Sequence, residues 1–91
     1  MIVNFQLWGQ LRQAAGGTSY VVDVPDGVTA PEAVQALASS CEGVRSMILD
    51  DDGSVRPVIL IFREGRQLET DDTESLLTGC ELTLMSPIAG G

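Results

Sequence analysis

An α+β fold, a mixed sheet with one main helix packed across it, is predicted by three observations. Five short segments alternate or run apolar with strand spacing. A single strong capping signal opens a helix between the second and third of them. No repeat or linker divides the 91 residues, so both kinds of element must share one core.

The first strand spans Ile2 to Trp8, with Val3, Phe5 and Leu7 on one face and Asn4 and Gln6 on the other. Gly9 to Ala15 places Leu11, Ala14 and Ala15 at helical spacing, and Gly16-Gly17 turns the chain back. Thr18 to Val24 is a second strand, with Tyr20, Val22 and Val24 on the inner face and Pro25-Asp26-Gly27 as its closing turn. Together these two strands predict an antiparallel hairpin with an elaborated loop.

Thr29-Ala30-Pro31-Glu32 has the form of a capping box, with proline in the first turn where its missing N–H costs nothing. Val34, Leu37, Ala38 and Cys41 follow at i, i+3, i+4 and i+7, a stripe to lie across the sheet. Gly43 is expected to stop this helix, with one further turn between Val44 and Leu49. Asp50-Asp51-Asp52-Gly53 fails the spacing of a calcium loop, which wants glycine sixth and glutamate twelfth where Val55 and Ile61 stand. A solvated turn is expected there instead. Pro57 to Phe62 is the next strand, Arg63-Glu64-Gly65-Arg66 a tight turn, and Gln67 to Glu69 a short strand. Thr73 to Leu77 is expected to make one helical turn closed by Gly79, and Glu81 to Met85 the last strand, with Leu82 and Leu84 inward.

Composition removes several functions. The formal charge is −8, from thirteen acidic residues against five arginines, with no lysine and no histidine. Nucleic acid binding draws its affinity from clustered basic groups, and none cluster here. The longest apolar run, Val58 to Phe62, is far below the ~20 residues of a membrane span. The chain begins Met-Ile-Val-Asn-Phe without a basic region ahead of an apolar stretch, so no secretory signal is expected and the cytoplasm is the expected compartment. Cys41 and Cys80 have no CxxC spacing and no histidine to complete a zinc site. Cys41 is expected to fill the core, and Cys80, beside Glu81, has no base to activate it. An acidic surface of this kind suits a partner with a basic one.

The chemistry is expected at the end of the chain. Residues 1–86 form the expected folded domain, and 87–91 a thin tail: Pro87, Ile88, Ala89, Gly90, Gly91. Five residues past Ser86 reach at most ~17 Å. A terminal carboxylate on such a tail can enter another protein's active site, and glycine fits where a Cβ would clash.

Four sets of residues make the sequence resemble the ubiquitin-like sulfur carriers, most closely the small subunit of molybdopterin synthase (the MoaD/ThiS group). They are Val3 through Phe5, Leu11-Arg12 with Gly16, Leu77-x-Gly79-x-Glu81-Leu82, and above all Pro87-Ile88-Ala89-Gly90-Gly91. The resemblance spans nearly the whole chain, and implies a β-grasp fold. It also implies that the Gly91 carboxylate is adenylated by an E1-like enzyme using ATP and Mg, converted to a thiocarboxylate, and made to give up its sulfur to a precursor held by a large catalytic subunit or another acceptor enzyme. Gly90 would give access, while Pro87, Ile88, Ala89 and Arg12 would dock against the partner. The chain carries no GxxxxGK[ST] loop for ATP and is expected to bind no cofactor, serving as cosubstrate rather than catalyst. Thiamine, cysteine or another thiolated product are alternative destinations, and attachment of Gly91 to a lysine of another protein is a third.

Overall fold

The computed structural model describes residues 1–86. β1 (Ile2–Trp8) and β2 (Ser19–Asp23) form the expected antiparallel pair, joined through a short helix, α1 (Gln10–Ala15). Val3, Phe5 and Leu7 are buried on the inner face, as the alternation requires. Tyr20 is half-buried, its hydroxyl donating to the Ala15 carbonyl. A hydrogen bond with the Cys41 thiol, followed by that group's charge, raises the phenol above its ordinary pKa.

α2 (Ala30–Ser40) opens on the predicted capping box. The Glu32 N–H donates to Thr29 Oγ1 at 3.3 Å, and the Thr29 N–H to Glu32 Oε1 at 2.8 Å. Ala33, Val34, Leu37 and Ala38 are wholly buried against the sheet. Thr29→Ala leaves the Glu32 N–H unpartnered and is expected to cost about 1 kcal/mol. Urea denaturation checks this: the midpoint should fall with an unchanged slope, and Thr29→Ser should restore most of it.

Gly43 does not stop this helix. α2 ends at Ser40, Cys41 breaks it in extended backbone (φ −130°, ψ 93°), and a separate helix, α3 (Glu42–Ile48), follows. Val44 and Ile48 of α3 are wholly buried, so the segment expected to make one turn supplies part of the core. Gly43 lies inside α3, where the missing Cβ lets the helix settle on the Ala14 carbonyl of α1. Cys41 is accordingly half-buried at the joint rather than sealed in the core. Its N–H donates to the Leu37 carbonyl, and its carbonyl accepts from Val44.

Two further expectations are corrected. The third strand, β3 (Leu60–Arg63), starts three residues later than expected. An isolated bridge between Leu49 and Val55, and a bond from the Arg56 N–H to the Ile48 carbonyl, hold the preceding chain around the acidic turn. The Ile59 N–H then donates back to Arg56, making Pro57 and Val58 part of a turn. Thr73 to Leu77 is not helical: Asp72 Oδ1 accepts from the Glu74 N–H at 2.8 Å, Ser75 bridges Thr29, and Leu76 is buried with its N–H on the Val28 carbonyl. A buried leucine anchors an extended strap that lacks helical periodicity.

The tight turn holds as expected. Glu64 (φ 52°) and Gly65 (φ 80°) both occupy the left-handed region between paired Arg63 and Arg66, the two-residue geometry whose twist matches the flanking strands. β4 (Arg66–Leu68) follows, then β5 (Glu81–Met85). The sheet order is β2-β1-β5-β3-β4, with β5 parallel to β1 and antiparallel to β3. The Asp50–Asp52 segment is a turn, closed by the Asp50 N–H on the Ser54 carbonyl and by an Arg56–Asp50 ion pair at 3.3 Å. No described helix is long and apolar enough to cross a membrane.

Candidate functional site

β5 is the central strand, laddered on both sides, and its inward Leu82 and Leu84 are wholly buried. The chain leaves the sheet after Met85, which pairs with Trp8 on one side and Leu60 on the other. The root of the last segment is therefore fixed by two ladders and two buried leucines, among the stiffest surroundings a small domain offers. Pro87, Ile88, Ala89, Gly90 and Gly91 lie outside the described residues. Ser86 lies at the root. Its Oγ is buried and has no hydrogen-bond partner among the described residues.

The outer face of the sheet around this root is apolar. Trp8, Leu60, Phe62 and Met85 all fall on the strand phase opposite the core, and Trp8 is 56% exposed. Val58, two residues before Leu60, is 54% exposed. Gln6 and Thr83 complete the middle of the face, so none of these side chains is charged. An exposed tryptophan flanked by half-buried apolar groups is the composition of a protein-binding surface: an aromatic anchor supplies large contact area with few torsions to freeze. The sequence reading missed these residues, although they left a signal. Trp8 falls on the polar phase of its strand with Asn4 and Gln6, and Leu60 and Phe62 interleave with buried Ile59 and Ile61. Apolar residues on both phases of a strand mark a sheet covered on both sides.

Arg12 is exposed on α1, which begins two residues after Trp8 and so at the same end of the sheet. Its carbonyl accepts from the N–H groups of Gly16 and Gly17, which closes the helix, and no described carboxylate lies within ion-pair distance of its guanidinium. Among the described residues the Arg12 side chain therefore has no ion-pair partner.

Cys80 is not part of this arrangement. It precedes β5, at the end opposite Met85, roughly 16 Å away at strand rise. Burial pushes its thiol pKa up, partly offset by the Arg63 guanidinium, so it is a poor nucleophile at neutral pH. Among the described residues no group of three or more Cys, Asp or Glu is placed to hold a metal ion.

No family model matches the chain. Small archaeal modifier protein 1 of Haloferax volcanii is 29% identical over 89 residues, covering 98% of this chain and all of that protein. Its crystal structure covers 100% of both chains with a TM-score of 0.87 at 28% identity. The solution structure of small archaeal modifier protein 1 from Methanosarcina acetivorans covers 99% of this chain and 96% of its own, with a TM-score of 0.72 at 22% identity. A chain of the Helicobacter pylori complex of molybdopterin-converting factor subunits 1 and 2 shares the fold, with a TM-score of 0.61 at 17% identity over the full length of both chains. Small archaeal modifier protein 1 is a small modifier protein rather than a catalyst, and the Helicobacter pylori structure is a complex of two different subunits. The chain thus has a β-grasp, ubiquitin-like fold with close sequence and structural similarity to small archaeal modifier protein 1, and it shares that fold with a subunit of the molybdopterin-converting factor.

Proposed function

We propose that this protein is a cytoplasmic carrier whose Gly91 carboxylate is activated by an E1-like enzyme and then bears sulfur for molybdopterin synthesis. A carboxylate is a poor electrophile until one oxygen becomes a leaving group. Attack of that oxygen on the α-phosphate of Mg-bound ATP expels pyrophosphate and gives the acyl adenylate. Hydrosulfide released by the sulfur donor then adds at the Gly91 carbonyl carbon and AMP departs, leaving the thiocarboxylate after loss of the thiol proton. The carrier's part is to bring Gly91 to that site, with Gly90 passing a narrow channel, Pro87, Ile88 and Ala89 packing at its mouth, and Arg12 meeting a partner carboxylate.

The observation that carries this reading is the placement of β5. The strand leading into Pro87-Ile88-Ala89-Gly90-Gly91 is the central one, pinned from both sides beside an uncharged apolar face. A partner can grip Trp8 and its neighbours while the tail reaches up to ~17 Å into an active site. Incubation with an E1-like enzyme, ATP and a sulfur donor should shift the intact mass by one oxygen-to-sulfur exchange. An unchanged mass with a partner active on its own carrier overturns the proposal.

The apolar face is tested by Trp8→Glu. Because Trp8 is more than half exposed, stability should change by less than about 1 kcal/mol. Loss of an aromatic anchor costs about 2 kcal/mol or more, so kcat/KM for ATP–pyrophosphate exchange should fall at least ~30-fold. An unaffected exchange rate removes this face from the site.

A second reading is favoured by the likeness to small archaeal modifier protein 1: the activated Gly91 is joined to a lysine of another protein. The chain has no lysine of its own, so side-chain-linked polymers of it cannot form and conjugates would carry single copies. Blots for the domain in cell extracts decide between the two. A series of larger conjugates lost with Gly91 supports the modifier reading. Restoration of growth by a molybdenum-independent nutrient, in cells lacking the gene, supports the sulfur reading.

A further inference from the structure

β2 is an edge strand, and its free side presents backbone groups. The Leu7 N–H donates to the Thr18 carbonyl at 2.8 Å, and the Val24 N–H to the Met1 carbonyl at 2.9 Å. Between these bonds the register runs without a bulge, from Gln6 opposite Ser19 to Ile2 opposite Asp23. Hydrogen-bonded and non-hydrogen-bonded pairs alternate along an antiparallel ladder. Thr18, Tyr20, Val22 and Val24 therefore direct their N–H and C=O groups at β1, while Ser19, Val21 and Asp23 direct theirs away from it. Among the described residues these outward backbone groups meet no other strand.

Exposed edges are commonly blunted by lysine, proline or a bulge, and Ser19 to Asp23 contains none of the three. Instead Val21 is 62% exposed, and Ile2, on the same outer face one diagonal step away, is 40% exposed. Charge selects what can approach. The Asp23 and Asp26 side chains are 81% and 91% exposed, with the Met1 ammonium 3.4 Å from each. Glu81 lies across the same face, two strands away. The five arginines all stand on other parts of the chain: Arg12 on α1, Arg45 on α3, Arg56 before β3, Arg63 and Arg66 at the β3–β4 turn. With −8 on each copy, pairing of this edge with a second copy is opposed electrostatically, while a basic segment is attracted.

We infer that the β2 edge is a second docking site, one that takes an extended segment of a partner protein as an added strand. Main-chain bonds to Ser19, Val21 and Asp23 hold the segment, a β-branched or other apolar side chain covers Val21 and Ile2, and basic side chains extend past Asp23 toward Asp26. β1 separates this edge from β5, so the segment binds while the tail root is occupied. Such a site lets a partner recognise the carrier body after its C-terminus is committed elsewhere. It does not depend on the sulfur chemistry.

The probe is an acetylated, amidated peptide, Arg-Val-Thr-Val-Arg-Arg, titrated into the isotope-labelled full chain and followed by amide resonances. Saturable shifts should centre on Ser19, Val21, Asp23 and Ile2. Val21→Lys, at a position too exposed to threaten folding, should weaken binding at least ~10-fold, as should N-methylation of the peptide amides that face the edge. Glutamate in place of the peptide arginines should abolish it. The inference is overturned by shifts centred on Trp8 and Met85, by equal binding of the N-methylated or acidic peptide, by the absence of saturable shifts, or by self-association of the chain that Val21→Lys removes.

Discussion

One alanine added after Gly91 is expected to lower ATP–pyrophosphate exchange by the activating partner at least ~100-fold while leaving the folded body unchanged. The proposed chemistry runs at a single atom, the carboxylate oxygen that attacks the α-phosphate. One extra residue moves that oxygen by ~3.5 Å. Reacting atoms must lie about 3–3.5 Å apart and in line, and even ~1 Å of misplacement can cost 10²-fold. The added Cβ also sits where the partner's channel expects none. Deleting Gly90 and Gly91 should reduce exchange to background, because the shortened tail ends about 7 Å short. The anchoring Leu82 and Leu84 lie well before the change, so the denaturation midpoint of both variants should match the parent. Parental exchange rates in the extended variant would show an idle tail, and the body would then be an interaction domain.

How far the sequence discloses this protein depends on what each local signal competes with. The Thr29 capping box, the alternating Val3, Phe5 and Leu7, and the Glu64-Gly65 turn are decided within a few residues, and the structure agrees with the sequence at all three. Where tertiary contacts decide, the local reading fails. Gly43 carries a strong local preference for ending a helix, but its place is set by the Ala14 carbonyl, almost thirty residues away in sequence. The Leu76 strap takes its shape from Val28 and Thr29. The start of β3 depends on the bridge between Leu49 and Val55. At the candidate site the proposed reactive end can be picked out from the sequence directly, because a Gly-Gly pair needs no fold to be seen. The apolar face around Trp8 is different. Each of its residues has an unremarkable place in its own strand, and only the parallel register of β1 with β5 brings Trp8 beside Met85.

Gly43→Ala is expected to destabilise the domain by about 1–3 kcal/mol, against the usual sign for removing glycine from a helix. In an unobstructed helix interior the exchange gains roughly 0.5–1 kcal/mol, because alanine loses less backbone freedom on folding. At Gly43 the new Cβ would overlap the Ala14 carbonyl, a backbone atom that moves only if the end of α1 moves with it. α1 is not free to move. Leu11 is wholly buried, Tyr20 bonds to the Ala15 carbonyl, and the Gly16 N–H closes the helix on Arg12 and Gln13. The overlap is relieved only by lifting α3, which partly uncovers Val44 and Ile48, both now wholly buried. Gly43→Val, with two more carbons at the same place, should cost more than alanine does. Gly17 is the internal control: a Cβ there meets nothing within 4 Å and its φ is not left-handed, so Gly17→Ala should be neutral or stabilising by up to ~1 kcal/mol. Urea midpoints of the three variants check the ordering. A stabilised Gly43→Ala would mean that α3 does not rest on α1.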